Sequence, residues 1–138
     1  MDAFDADVLI YAAVPGHSLG TPVLALFPEQ SPNEASIFAG VGSTLLLPEV
    51  LTKPTRDGTD GEVEALAALL GRLDLRPLDE AIASLAVALG ASYGLKSADA
   101  VHLATAVSAG ADRFITNNRH DFSPLIEEVS VTYPTDLP

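Results

Sequence analysis

Phe4-Asp5-Ala6-Asp7-Val8-Leu9-Ile10-Tyr11 sets two carboxylates where a short apolar run, Ala3-Phe4 with its flanks, gives way to a helix. That helix is predicted from Val8 to Val14 and stops at Pro15-Gly16. In open α/β sheets ligands gather beyond the carboxyl ends of the strands, so acidic residues at a strand-to-helix junction mark a candidate crevice. Asp5 is expected to point into it. Asp7 is expected to cap the helix by accepting a backbone N–H. Taken without the rest of the chain, both also fit as cap and turn residues.

Outward from this stretch, short apolar runs alternate with amphipathic helices. That pattern predicts a three-layer α/β domain over residues 1–138, with a mainly parallel sheet of about four or five strands and about five to seven helices. Residues 17–40 are ambiguous, broken by Pro22, Pro28 and Pro32. Thr44-Leu45-Leu46-Leu47 is the next strand candidate, with Pro48 in the first turn of a short helix closed by Lys53-Pro54. Residues 55–61 are expected to form a loop. Val63, Leu66, Leu69, Leu70 and Leu73 recur at helical spacing from Glu62 to Leu73. Leu75 to Leu78 is a short strand candidate. Ile82, Leu85, Ala86, Leu89 and Tyr93 mark a helix stopped by Gly94. Ser97 is expected to cap a helix that runs to about Ala109 and ends at Gly110. Arg113 to Thr116 and Val129 to Tyr133 are the last strands.

Composition removes several chemistries. The chain has 138 residues, 48% of them hydrophobic, enough for a core without staples. It has no cysteine, so disulfides, thiolate zinc sites and cysteine nucleophiles are excluded. His17, His102 and His120 show no HExxH spacing, which argues against a zinc-type site. The N-terminus Met1-Asp2-Ala3-Phe4-Asp5 is acidic where a secretory signal would be basic, and apolar runs are far shorter than a membrane span. A cytoplasmic protein without membrane contact is expected. A net charge of -12 is wrong for a nonspecific nucleic-acid coat, since polyanions are met by Lys and Arg. It fits simple solubility, carboxylates awaiting divalent cations, or a basic partner segment.

Three further constellations carry oxygen donors. Glu49, in Leu47-Pro48-Glu49-Val50-Leu51, directly follows an apolar run and also fits as a glutamate stabilised by a helix dipole. Asp99 opens the Ala-rich helix Ser97-Ala98-Asp99-Ala100-Val101-His102-Leu103-Ala104-Thr105-Ala106, with His102 one turn on and within reach of it. Such a histidine is more often a satisfied structural donor. In Phe114-Ile115-Thr116-Asn117-Asn118-Arg119-His120-Asp121-Phe122 an apolar strand ends in a polar cluster and an aromatic anchor.

The order of these four stretches resembles a PIN-domain nuclease, and most of all the VapC-type toxins of type II toxin–antitoxin systems. The resemblance runs from Asp5 to Phe122, and the Asp99 and Thr116 motifs are its most specific parts. It implies that Asp5, Glu49 and Asp99 are an acidic metal-binding triad and that Thr116 is the strand-end threonine of the site. The family often has a fourth acid shortly after that threonine. Here the position is Asn118, a neutral oxygen donor, and Asp121 three residues on is the candidate substitute. Asp7 stands where the family usually has Asn, Ser or Thr, adding an acid at the mouth. The resemblance further implies one or two Mg²⁺ or Mn²⁺ ions, an RNA substrate, a homodimer and a small cognate antitoxin.

The chemistry is consistent with such residues. Hard divalent ions prefer carboxylate, carbonyl and water oxygens. They polarise a phosphoryl oxygen, promote ionisation of bound water and reverse the local sign of an acidic cluster. Five of the seven basic residues, Lys53, Arg56, Lys96, Arg113 and Arg119, flank the motifs and form either a phosphate-binding rim or ordinary solvated surface. Two alternatives stay open: a phosphatase or phosphotransferase with Asp5 as nucleophile, for which Lys96 is a weak activating lysine, and a non-catalytic PIN-like binding module.

Overall fold

A computed structural model describes residues 1–29 and 37–138. The chain enters through strand β1 (Asp2–Phe4), then helices α1 (Ala6–Ala12) and α2 (Gly20–Leu24), then β2 (Gly40–Ser43). Helices α3 (Leu46–Asp57) and α4 (Asp60–Leu70) lead to β3 (Leu73–Arg76), and α5 (Glu80–Tyr93) and α6 (Ser97–Ser108) lead to β4 (Arg113–Ile115). Strand β5 (Ser130–Thr132) and a 3₁₀ turn (Pro134–Asp136) close the chain. The five strands form one parallel sheet in the order β3-β2-β1-β4-β5. This is the expected three-layer α/β architecture, and its sheet is wholly rather than mainly parallel.

Alternation along the strands divides the core. Successive side chains point to opposite faces. Ala3, Val41, Phe114 and Val131 face a cluster containing Ile82, Ala86 and Leu89 of α5 with Ala100, Leu103 and Ala104 of α6. Phe4, Leu73 and Ile115 face the other way, toward Val8 and Leu9 of α1, Val23 of α2, Val50 of α3 and Leu66 of α4. The small residues of α6 allow close approach: a Cβ on Gly90 of α5 would meet that of Ala100 at 3.4 Å. Among the described residues no single helix is long and apolar enough to cross a membrane.

The sheet grows from β1 through β2 to β3, then resumes on the other side of β1 with β4. The β1/β4 boundary is therefore a switch point, where crossovers on opposite faces leave a crevice above the strand ends. Asp5 leaves β1 there and Thr116 leaves β4; the Asp5 N–H donates to the Ile115 carbonyl at 2.9 Å.

Several element boundaries differ from the sequence-based expectation. The strand expected at Thr44–Leu47 lies just before it, in Gly40-Val41-Gly42-Ser43, while Leu46 and Leu47 open α3. Glycines weaken a strand signal, and here backbone and side chains crowd them (below). Lys53-Pro54 does not end α3; Pro54 is buried within it, and the helix runs on to Gly58, whose φ of 70° terminates it. The expected loop at 55–61 is therefore the end of α3 and the start of α4. Leu73 belongs to β3 rather than to the preceding helix, and β3 covers Leu73–Arg76 rather than Leu75–Leu78. Lys96, not Ser97, holds the N-cap position of α6. Gly94 ends α5 with φ 66°, as expected. Pro22 lies inside α2, and Pro32 falls outside the described residues.

Candidate active site

The extended backbone of Asp5 (ψ 164°) turns the chain from β1 into α1, and its Oδ1 accepts the Ala6 N–H at 2.8 Å. Asp5 is thus the helix cap, a role expected of Asp7, and it also stands at the β1/β4 switch point. Its second oxygen accepts the Thr116 hydroxyl at 2.8 Å, and Thr116 Oγ1 in turn accepts the Asn118 N–H at 3.1 Å. Only 5% of Asp5 is exposed, and Thr116 is fully buried. Two ends of parallel strands, 111 residues apart in sequence, are clasped by this contact.

Asp7 makes a second clasp. Its Oδ1 accepts the Val8 N–H at 2.7 Å and its Oδ2 accepts the Asn117 N–H at 3.1 Å. Asp7 therefore ties the first turn of α1 to the loop after β4. The sequence placed Asp7 at the mouth; the Asn117 backbone contact depends on a residue 110 positions away and left no local signal.

Glu49 and Asp99 stand in the first turns of α3 and α6, where helix dipoles favour negative charge. His102 faces Glu49 rather than pairing with Asp99: its Nε2 lies 2.8 Å from Glu49 Oε1. Asn118 and Asp121 form a closed turn. Asn118 Nδ2 donates to Asp121 Oδ2 at 2.9 Å, and the Asp121 N–H donates to Asn118 Oδ1 at 3.3 Å. The amide oxygen suggested as a neutral ligand thus accepts one N–H and keeps a second lone pair.

The electrostatics tie these groups together. Burial, the largest cause, raises the Asp5 carboxyl; His102, Thr116 and the Ala6 N–H oppose it, and Glu49 adds to it. Asp7 is pushed up to about 7 by burial first and the Asp5 charge second, against its two backbone hydrogen bonds. Asp99 is pushed up to about 6 by burial, then by Asp5 and Asp121. Burial works against a charged His102, but the Glu49 hydrogen bond and the charges of Asp5, Glu49 and Asp99 outweigh it and raise its pKa. Asp121 is held low by Asn118 and His120. Carboxyls that raise one another in this way share one region of low dielectric.

A model of the PIN domain matches residues 3–124. The chain belongs to the PIN-domain family. A search of curated proteins finds no match. Among solved structures, a toxin–antitoxin complex from Klebsiella pneumoniae is 26% identical, with a TM-score of 0.73 over 97% of this chain and 98% of that one. The VapBC2 complex of Rickettsia felis, bound to a promoter DNA fragment, shares the fold at 14% identity and TM-score 0.69, covering 96% of this chain and 97% of that one. VapBC-1 from nontypeable Haemophilus influenzae does so at 15% and 0.63, covering 97% and 98%. The resemblance read from four motifs is therefore borne out at the level of family and fold.

In this PIN domain the donor set is all oxygen around one imidazole, which suits a hard divalent ion by its chemistry. Among the described residues, however, no three His, Asp or Glu side chains stand in an arrangement that holds an ion. Glu49 is engaged with His102, and Asp7 with backbone N–H groups. The expected basic rim also thins. Arg113 lies at the opposite end of β4, where its Nε and Nη2 donate to the two Asp2 carboxylate oxygens at 2.8 and 3.0 Å. Arg56 pairs with the adjacent Asp57 at 3.4 Å. Lys96 is felt by Asp121, and Arg119 follows Asn118 directly.

Proposed function

We propose that residues 1–138 act as one nuclease domain, a metal-dependent endoribonuclease that serves as the toxin of a type II toxin–antitoxin pair. The observation that carries this reading is the buried Asp5 carboxylate at the switch point, hydrogen-bonded to Thr116 and electrostatically coupled to Asp7, Glu49 and Asp99. Its chemistry is that of a site for a hard cation. Asp5, Glu49 and Asp99 would hold the ion, with Asp121 and Asn118 at the edge, and one or two Mg²⁺ or Mn²⁺ ions would supply Lewis-acid activation of water and phosphate. Thr116 orients the Asp5 carboxylate. Asp7 fixes the β4 loop over the crevice. His102 holds Glu49. The similar folds in toxin–antitoxin complexes support a cognate antitoxin as partner. A homodimer in the cytoplasm completes the proposal.

The test is cleavage of a labelled single-stranded RNA by the purified protein in Mn²⁺ and in EDTA. Cleavage is expected only with the metal. Asp5→Asn and Asp99→Asn are expected to lose it by at least about 10²-fold with the fold retained. Full metal-dependent cleavage by either variant would refute the assignment. The closed Asn118–Asp121 turn favours a second reading, a binding module without catalysis. Calorimetry with Mn²⁺ separates the two: the nuclease binds the ion alone, the module does not.

A further inference from the structure

Arg119 is an exposed cation that is nonetheless held in place. Its guanidinium lies 4.0 Å from the centroid of the Tyr133 ring, and its Nη2 donates to Thr135 Oγ1 at 2.7 Å. Tyr133 is itself fixed, with 6% exposed and its hydroxyl donating to the Phe122 carbonyl at 2.5 Å. Among the described residues Arg119 has no carboxylate partner, although acidic residues outnumber basic ones by 19 to 7. Arg76 and Arg113, by contrast, are ion-paired at 2.8 Å.

Its position is at the carboxylate end of the sheet. Asn118, its neighbour, donates to the same Thr116 oxygen that donates to Asp5. Tyr133 follows Thr132, whose carbonyl accepts the Thr116 N–H at 3.1 Å. Thr135 also lines a groove of about 420 Å³ between α2 and the 3₁₀ turn, with Ser18, Thr21 and Pro134. A planar guanidinium stacked on one face and tethered at Nη2 is pre-oriented to offer its remaining N–H donors to a phosphate, and little rotamer freedom remains to be lost on binding.

We propose that Arg119 binds a backbone phosphate of the RNA strand flanking the one cut, and so aligns the strand across the β4–β5 side of the crevice toward the α2 groove. This rests on the nuclease reading above. Arg119 is a substrate-positioning residue; Tyr133 and Thr135 act through it.

The experiment is steady-state cleavage of a labelled single-stranded oligoribonucleotide pool in Mn²⁺, across a salt series, by the wild type, Arg119→Ala, Arg119→Lys and the charge-matched Arg56→Ala. Arg119→Ala is expected to raise KM about tenfold with a much smaller change in kcat. Its plot of log kcat/KM against log salt should be shallower by about 0.7, one phosphate contact on a single strand. Arg119→Lys should recover the salt slope but only part of the KM, because an ammonium lacks the fork and the stack. A lost packing contact alone would lower the unfolding temperature and leave the slope intact. Wild-type KM and slope in Arg119→Ala, or an equal change in Arg56→Ala, overturns this inference while the nuclease reading stands. A wild type that cuts no RNA in Mn²⁺ overturns both.

Discussion

His102 is 2% exposed, yet only one of its two ring nitrogens has a partner: Nε2 meets Glu49, and Nδ1 is buried without one. An unpaired buried polar atom costs about 1–3 kcal/mol, similar to what a hydrogen bond to a charged group returns. The two nearly offset, so the imidazole does little for the fold. Its effect falls on Glu49, which is 31% exposed and would otherwise sample several rotamers. His102→Leu is therefore expected to leave the unfolding temperature unchanged or higher. RNA cleavage should fall about 10–100-fold, as when other residues that orient metal ligands are removed. Thermal unfolding and kcat/KM check this; a drop of several degrees with full activity would show a purely structural histidine. The sequence offered His102 as a partner of Asp99, one helical turn away. The pairing with Glu49, 53 positions distant, joins α6 and α3 from opposite faces of the sheet and has no local trace.

Among the elements, β2 shows most plainly why a strand was misplaced. Gly40-Val41-Gly42-Ser43 has a single apolar side chain, while the adjoining Thr44–Leu47 has the β-branched and apolar look of a strand. Crowding explains the glycines. A Cβ on Gly40 would lie 2.3 Å from the Asp2 carbonyl oxygen, and one on Gly42 2.5 Å from Leu46 Cδ1. At the α1/α2 contact a Cβ on Gly20 would lie 2.0 Å from the Tyr11 carbonyl oxygen. Backbone cannot move aside as a side-chain tip can. Gly20→Ala and Gly40→Ala should each destabilise by about 2–3 kcal/mol, and Gly42→Ala by about 1 kcal/mol. Urea unfolding of the three variants tests the ranking; a Gly42→Ala variant less stable than Gly40→Ala would contradict it. Elements with strong periodicity, such as α5, were legible from sequence because the apolar face from Ile82 to Tyr93 and the Gly94 stop are local features, whereas the Asp79 cap at its start came from the structure.

For the molecule as a whole, excess negative charge makes stability depend on protons and cations. Asp7 and Asp99, at about 7 and about 6, bind protons more tightly folded than unfolded, where carboxylates titrate near 3.8. The stabilisation from protonating them is complete below about pH 4 and is lost as pH rises to about 7. Asp5 and His102 are raised too, so both act in the same direction. In EDTA the urea midpoint is expected to fall between pH 5 and pH 7.5, and Asp7→Asn should shrink that fall. Saturating Mn²⁺ should remove most of it, since a cation that binds only the folded state replaces the protons. A midpoint that climbs with pH in EDTA would contradict the coupled carboxyls.

What the sequence determined by itself is the layered α/β class, the acidic residues where strands end and helices begin, and the family, because caps, periodicity and motif spacing are properties of neighbours in the chain. The tertiary structure decided which of those residues meet. It set Thr116 on Asp5, Asn117 on Asp7, His102 on Glu49 and Arg119 on Tyr133. It also removed Arg113 to the far end of the sheet. The physical reason is that hydrogen bonds and Coulomb forces act over a few ångströms in space, and only the parallel register of β1 beside β4 brings residues more than a hundred positions apart within that range.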